Sequence, residues 1–497
     1  MQKQGRNRKI TAITKLSYGM GNLVGSGPLA LTGAWLLFFY TSFCGLSATQ
    51  ATLIFSVATY LDVILNPLMG FITDNFYKTK IGRKFGRRRF FILMGIPLMM
   101  VYPALWVTGQ SFLYYFISYI AFEMVYTSIM IPYETLAVEM TDDFSERTFL
   151  TGSKAVFGAV ANFLGSSIPG IFFALVGKND PKSLFFSGLT YALIFVISLT
   201  MLYRNSWERD ASEVNEVHTD GLVHTITHLF TDLFSTFRIK TFRAHIGMYL
   251  FGFGALWLFT AVFTYYLIFV LGLSTTTVAA LNSMLFVIQF ISTFSFIAIC
   301  SKYGFAKPFI AASLLAICSF LGFIGLYFFH FENVSWLLYL LTAIYGFAIG
   351  GIYYIPWTTY TFLADVDEAV TNRRREGIYA GSMTMSGKLM RASVVFILGI
   401  ILDHAGFVSG AKTQPVSAIH AIIGIIAIGV IGLSTLGIIS ALRYKLNKEN
   451  HSILIHEVNR VHEGGEKEKV GVKEKLVMET LTGFSYDNLF GHNKVEH

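Results

Sequence analysis

The chain has 497 residues, of which 54% are hydrophobic and only 14% charged, whereas soluble domains carry about a quarter charged residues; this excludes a water-soluble globular protein. A formal charge of +8 does not imply nucleic acid, because the cations fall in short loops between apolar runs rather than on one folded basic face. Cys44, Cys300 and Cys318 lie in or beside apolar runs without metal-ligand spacing, so neither redox chemistry nor a metal site follows.

Lys3, Arg6, Arg8, Lys9 and Lys15 flank the first apolar run as in a signal peptide. That run is too long and lacks a small-residue cleavage site, so a retained first helix is expected. Apolar runs of about 20 residues predict twelve spans, near 16–43, 49–76, 90–108, 111–139, 151–177, 184–203, 245–272, 275–301, 308–330, 335–363, 379–403 and 418–443. Basic residues mark alternate loops: the N-terminus, 77–89, Arg147, the central segment, Lys302 and Lys307, Arg373 to Arg375, and Arg443 onward. The opposite loops hold only Lys178, Lys182 and Lys412. An even number of spans with that bias predicts two cytoplasmic termini.

In the second span Asp62 is an ionisable group at lipid depth, where such residues normally face a bundle interior or a wet path. Asn66 follows one turn later on the same face. Pro67 then frees a carbonyl that only protein or a wet cavity can satisfy. The fourth span carries Glu123, with Tyr126 and Thr127 on its face, before Ile131-Pro132-Tyr133. Glu134, beside that proline, is expected to serve a gate at the basic end. Lys154, just inside the fifth span, reads equally as a substrate contact or as a helix-end side chain snorkelling to water.

The central segment 204–244 divides the helices into two sets of six. Ile131-Pro132-Tyr133, followed by Glu139, Asp142, Asp143, Glu146 and Arg147, recurs as Ile355-Pro356-Trp357, followed by Asp365, Asp367, Glu368 and Arg373 to Arg375. Weak internal symmetry of this kind marks transporter halves. The expected organisation is an N-terminal half, 1–203; a central loop, 204–244; a C-terminal half, 245–443; and a cytoplasmic tail, 444–497, partly disordered. Gly346 to Gly351 lies inside an apolar span and reads as close helix packing, not a nucleotide loop. Neither a Gly-Lys-Ser/Thr loop nor a His-Glu-x-x-His pair is present, and no nucleophile and base share a catalytic spacing.

Lys388 and Arg391 share one face of the eleventh span. Arg391 could grip an anionic sugar bidentately, or snorkel, or pair with Asp403. Among the aromatics, Tyr40, Tyr126, Tyr353, Tyr354 and Trp357 neighbour prolines, glycines or buried charges. Amphipathic rings suit a sugar, while the plainer reading of any one of them is an interfacial anchor.

Several motifs in order resemble the glycoside–pentoside–hexuronide:cation symporters, the branch of the major facilitator superfamily that includes melibiose and lactose carriers. Leu16-Ser17-Tyr18-Gly19 and Phe39-Tyr40-Thr41 through Gly45-Leu46 resemble the ends of that family's first helix. Asp62 with Asn66-Pro67-Leu68-Met69-Gly70 resembles its Asp-x-x-x-Asp-Pro-x-x-Gly. Ile131-Pro132-Tyr133 with Glu146-Arg147-Thr148-x-Leu150-x-x-x-Lys154 resembles the link from its fourth to its fifth helix. Arg374-Arg375-Glu376-Gly377 through Lys388 and Leu402-Asp403-x-x-Gly406-Phe407 resembles its eleventh. The match runs from Leu16 to about Tyr444.

The resemblance implies an all-α membrane protein of the major facilitator fold, with two pseudo-symmetric six-helix bundles. It would import a glycoside or sugar derivative, hexuronides included, together with a cation by alternating access. In the sodium-using melibiose carriers the cation site is similar to a cluster of carboxylates. Here the corresponding positions appear as Ser26, Asn66 and Met130. A hard cation wants several oxygen ligands, so protons are expected ahead of Na⁺, with Glu123 as a replacement acid. The implied sites are Asp62, Asn66 and Glu123 for coupling, and Tyr40, Tyr126, Lys154, Trp357, Lys388 and Arg391 for substrate. Asp74, Arg83, Glu146 and Arg147 are implied for gating. Neither a cofactor nor a metal is implied. The expected partners are a sugar and the lipid bilayer, in a bacterial-type cytoplasmic membrane. Two alternatives share the composition: a lipid or lysolipid translocator of the same fold, and a non-transporting membrane sensor.

Overall fold

A computed structural model describes residues 9–491 except 142, 178–179, 209–230, 232–233, 330–334 and 373–374. Most of the central segment, Lys178, Asp142, and Arg373 with Arg374 therefore lie outside the described residues. Among the described residues, twelve helices are long and apolar enough to cross a membrane. They are α1 (Ala12–Ser42), α2 (Ala48–Thr73), α3 (Arg89–Trp106), α4 (Phe112–Ala137), α5 (Phe149–Leu175), α6 (Lys182–Asn205), α7 (Lys240–Val270), α8 (Thr275–Tyr303), α9 (Ala306–Phe329), α10 (Trp336–Thr371), α11 (Ile378–His404) and α12 (Val416–Arg443).

Local chemistry sets the ends and bends. Ser47 starts α2 with a capping box, its side chain accepting from the Gln50 amide while the Gln50 side chain accepts from Ser47 N–H, so two orphan donors are satisfied at once. Ser111 caps α4 in the same position. Pro28 removes a donor inside α1, and the helix widens into a π segment at Thr32–Leu36, the usual response to a broken ladder. Pro97 stands just before, and Pro103 within, the tight 3₁₀ stretch Met99–Trp106 that ends α3.

The chain forms two compact units. The first comprises 1–222, 260–286 and 392–423; the second comprises 223–259, 287–391 and 424–497. In the first unit α1 is the centre, packed on α5 and α6. Close approach is possible because small residues line the contact. A Cβ on Gly165 of α5 would lie 2.7 Å from the Ala30 side chain and 3.0 Å from the Gly27 carbonyl of α1. Helix α2 packs on α4, which brings the second and fourth spans together. In the second unit α9 packs on α10 and α12.

The tail departs from expectation. Instead of partial disorder it forms α13 (Lys448–His462) and α14 (Val472–Thr482), packed on each other and on the last turns of α10. Leu454, Val458, Met478, Leu481 and Leu489 are buried, as is Glu457. The Glu457 carboxylate accepts from Arg460 at 2.7 Å and from the Tyr486 hydroxyl. Composition misled because the apolar side chains are spaced along two short helices, so the charged average hides a narrow buried stripe.

Candidate functional site

In the first unit the α2–α4 contact builds a buried acidic site. Asp62 is 6% exposed, Glu123 7% and Thr127 2%. The Thr127 hydroxyl donates to the Asp62 carboxylate, and Thr127 stands one turn after Glu123 on the same face of α4. One helix thus supplies the donor that holds Asp62 and, one turn before that donor, a second buried carboxyl. Asn66, one turn beyond Asp62, is half-buried, and Met130 is buried with its thioether. Among the described residues no group of three or more His, Cys, Asp or Glu is placed to hold a metal ion.

Other residues singled out in the sequence are placed differently. Tyr40 is fully enclosed, its ring 4.9 Å from that of Tyr115, so it belongs to the core rather than to an accessible wall. The Tyr126 hydroxyl donates to the Gly25 carbonyl at 2.6 Å, meeting an acceptor close to the Pro28 break in α1. Lys154 is paired with Glu134.

The basic end of the first unit holds a buried ion-pair cluster. Arg87 meets Glu139 at 2.5 Å and Arg88 meets the same carboxylate at 3.4 Å. Glu208 accepts from the Arg87 amide at 2.6 Å and the Arg88 amide at 2.9 Å, which satisfies orphan donors at the start of α3. Three of the residues expected to gate bond within their own stretches of chain. Glu146 accepts from the Thr141 hydroxyl at 2.8 Å, Arg147 donates to the Thr141 carbonyl at 3.0 Å, and Arg83 donates to the Tyr77 carbonyl at 3.3 Å. Asp74 lies in the helix that continues α2, and its side chain is outside the described residues. Arg87, Arg88 and Glu208 were not singled out from the sequence. Their signal was the basic run itself, which reads as a topology marker until a carboxylate is placed against it.

In the second unit an aromatic face joins α7 and α10. Tyr249 lies edge-on to Trp357 with ring centroids 5.9 Å apart, and Phe253 lies 5.3 Å from Tyr353 and 5.4 Å from Trp257. Trp357 is 36% exposed and Tyr353 46%. A Cβ on Gly387 of α11 would collide with the Tyr249 hydroxyl, so the ring is seated against the turn that carries Lys388. Arg391, one turn further, is half-buried and forms no ion pair or hydrogen bond among the described residues. Trp357 was expected from the repeat, whereas Tyr249 had no such flag, because a ring in α7 looks like any other in an apolar run.

Twelve apolar helices with two buried carboxyls on packed spans and a polar-edged aromatic face define a polytopic membrane transporter rather than an enzyme. The chain belongs to the MFS/sugar transport protein family, whose sequence pattern matches residues 17–448. This is the superfamily branch that the helix-two, helix-four and helix-eleven motifs resemble. The uncharacterized symporter YnaJ of Bacillus subtilis is 23% identical over 463 residues, covering 91% of this chain and 95% of that one. The putative glycoside/cation symporter YagG of Escherichia coli is 28% identical over 213 residues, 41% of this chain and 45% of that one. The solved D-xylose-proton symporter aligns with a TM-score of 0.61 at 13% identity, covering 87% of this chain and 96% of that one; that likeness concerns the fold alone.

Proposed function

We propose that this protein is a proton-coupled symporter that imports a sugar derivative across a bacterial cytoplasmic membrane, with both termini in the cytoplasm. The observation that carries the reading is Asp62 buried in α2 and held by the Thr127 hydroxyl of α4, with the buried Glu123 one turn before Thr127. A carboxyl group enclosed at lipid depth is costly to keep there and marks a functional path. Coupling requires only that proton and sugar each favour the same state, and the effect is reciprocal. Protons are favoured over Na⁺ because Asn66 and Met130 add one amide oxygen and no carboxylate to Asp62, a poor oxygen set for a hard cation. Expected mutant behaviour follows: Asp62→Asn retains sugar exchange and loses uphill accumulation.

The sugar is read from the second unit. Trp357, Tyr249 and Tyr353 offer flat apolar faces with polar tips for a ring whose C–H face is apolar and whose rim is hydroxylated. Arg391, half-buried and without an anionic partner among the described residues, supports a substrate that carries a carboxylate, since leaving a guanidinium uncompensated costs more than pairing it. A hexuronide has both features. Lys388, on the same face of α11, supplies a second cation at that wall.

The test is uptake of labelled glycosides and glycosiduronates into proteoliposomes under separately imposed proton and Na⁺ gradients. The expected result is accumulation driven by an inward proton gradient and competed by uronides. Accumulation that follows Na⁺ alone would overturn the ion assignment. Uptake of neutral glycosides that uronides do not inhibit would overturn the role of Arg391.

A further inference from the structure

Four helices are divided between the two units. The segments that join the first unit are 260–286 and 392–423, which contain the α7–α8 and α11–α12 turns. Both turns lie at the end opposite the basic loops, as does the α1–α2 turn. Within the first unit, the end of α11 is fastened to the start of α2. The Asp403 carboxylate accepts from the Ala48 amide at 2.9 Å through Oδ1 and from the Thr49 amide at 2.7 Å through Oδ2.

With the Ser47–Gln50 box, these two bonds satisfy the first three orphan donors of α2, and a carboxylate is the favoured charge at a helix N-terminus. Around them, Ser409 Oγ donates to the Leu46 carbonyl at 2.6 Å, the Gly410 amide donates to the Thr41 carbonyl at 2.9 Å, and Ser56 Oγ donates to the Ala392 carbonyl at 2.9 Å. A Cβ on Gly399 would lie 2.7 Å from the Ala48 carbonyl and would collide with the Thr52 hydroxyl. The two helices therefore meet closely at Gly399, which is seated against the Ala48 carbonyl and the Thr52 side chain.

We infer that Asp403 is the latch of a gate at the end of the first unit opposite the basic loops, holding α11 on the N-terminus of α2, and that this bond breaks and reforms once in each transport cycle. The fastening suits a reversible contact. Asp403 and Thr49 are half-exposed and lie beside an exposed turn, so when they part, water replaces the Thr49 bond, and withdrawal of α11 uncovers the Ala48 amide that is buried in the closed form. Gly399 sets how closely α11 seats, and Asp403 supplies the charge that holds it there. A charged group on one helix and the bare donors of another form two discrete arrangements, closed or hydrated, as a gate between states requires. The inference rests on the transporter reading for its purpose, and on the geometry of the first unit for its existence.

The chain carries its own reporter. Cys44 lies in the α1–α2 turn between Thr41 and Leu46, half-buried, and burial pushes its thiol up to about 11. Only the thiolate is a fast nucleophile, so a buried, protonated Cys44 reacts slowly and a hydrated one quickly. The experiment follows labelling of Cys44 by a maleimide in the full-length C300S/C318S protein in detergent and in lipid nanodiscs. Asp403→Asn and Gly399→Ala are each expected to speed labelling about tenfold or more, while Asp403→Glu, which keeps the charge, stays near the parent rate. The two fast variants act by unrelated means, one removing charge and the other adding a wedge, and size-exclusion profiles identify any variant that fails to fold. Parent-rate labelling in both folded variants would overturn the latch. Labelling needs neither sugar nor ion gradient, so a failed latch leaves the transport reading standing, and failed gradient-driven uptake with fast labelling leaves the latch standing.

Discussion

Asp62 shows what a single residue can reveal and conceal. A carboxylate in an apolar run is visible from sequence because water-free burial of a charge is costly, and the structure places it as buried as that argument requires. Thr127 was noted on the face of Glu123, but its role as donor to Asp62 was not visible, since threonine in an apolar helix ordinarily satisfies itself on the carbonyl four residues before. Thr127→Val leaves the carboxylate one donor short, a loss of about 1–3 kcal/mol for a buried acceptor. Gradient-driven uptake should therefore fall about tenfold, whereas Thr127→Ser, which keeps the hydroxyl, stays within about twofold; initial rates in proteoliposomes decide this. Tyr40 and Tyr126 illustrate the converse. Both looked suited to a sugar, yet one fills the core and the hydroxyl of the other bonds the Gly25 carbonyl of α1, because a ring beside a proline or glycine has structural uses the sequence cannot rank.

At the scale of the element, the α1–α5 contact and the tail make opposite demands. Gly165 lets α5 approach the α1 backbone, and a branched side chain there must push two helices apart. Gly165→Val is expected to destabilise the first unit by about 1–3 kcal/mol, read as a lower midpoint of thermal unfolding in detergent, with wild-type behaviour in Gly152→Ala, where no atom lies within reach of a Cβ. The tail is held by Glu457. Burial pushes its carboxyl up, but hydrogen bonds from Arg460 and Tyr486 outweigh that, and its pKa lies below the ordinary carboxylate value. A depressed acid contributes stability above its unfolded pKa and loses it as pH falls through the folded one. Amides of α13 and α14 should therefore stay protected from hydrogen exchange from neutrality down past about pH 4.3 and lose protection in more acid solution. Glu457→Gln should lose part of that protection already at neutral pH.

For the whole molecule, the tail is part of the second unit rather than an appendage. The amides of Phe490 and Gly491 donate to the Ala369 and Val370 carbonyls at 2.9 and 3.0 Å, capping the last turn of α10, and Thr241 of α7 donates to the Leu481 carbonyl at 2.6 Å. Removing residues 445 onward uncovers that turn and should lower the yield of folded protein and the unfolding midpoint, while leaving the Cys44 labelling rate of the remaining folded protein unchanged. The number of spans, their approximate ends and the buried acid in α2 were determined by the sequence alone. These follow from transfer of side chains into hydrocarbon, a property each segment has by itself, and the family motifs lie within single segments too. Which helix faces meet was decided only by the tertiary structure: Thr127 on Asp62, Glu139 between Arg87 and Arg88, Asp403 on the start of α2, Tyr249 against Gly387. A hydrogen bond between residues hundreds of positions apart depends on packing geometry, and hydropathy, which scores each residue against the membrane, carries no record of its neighbours.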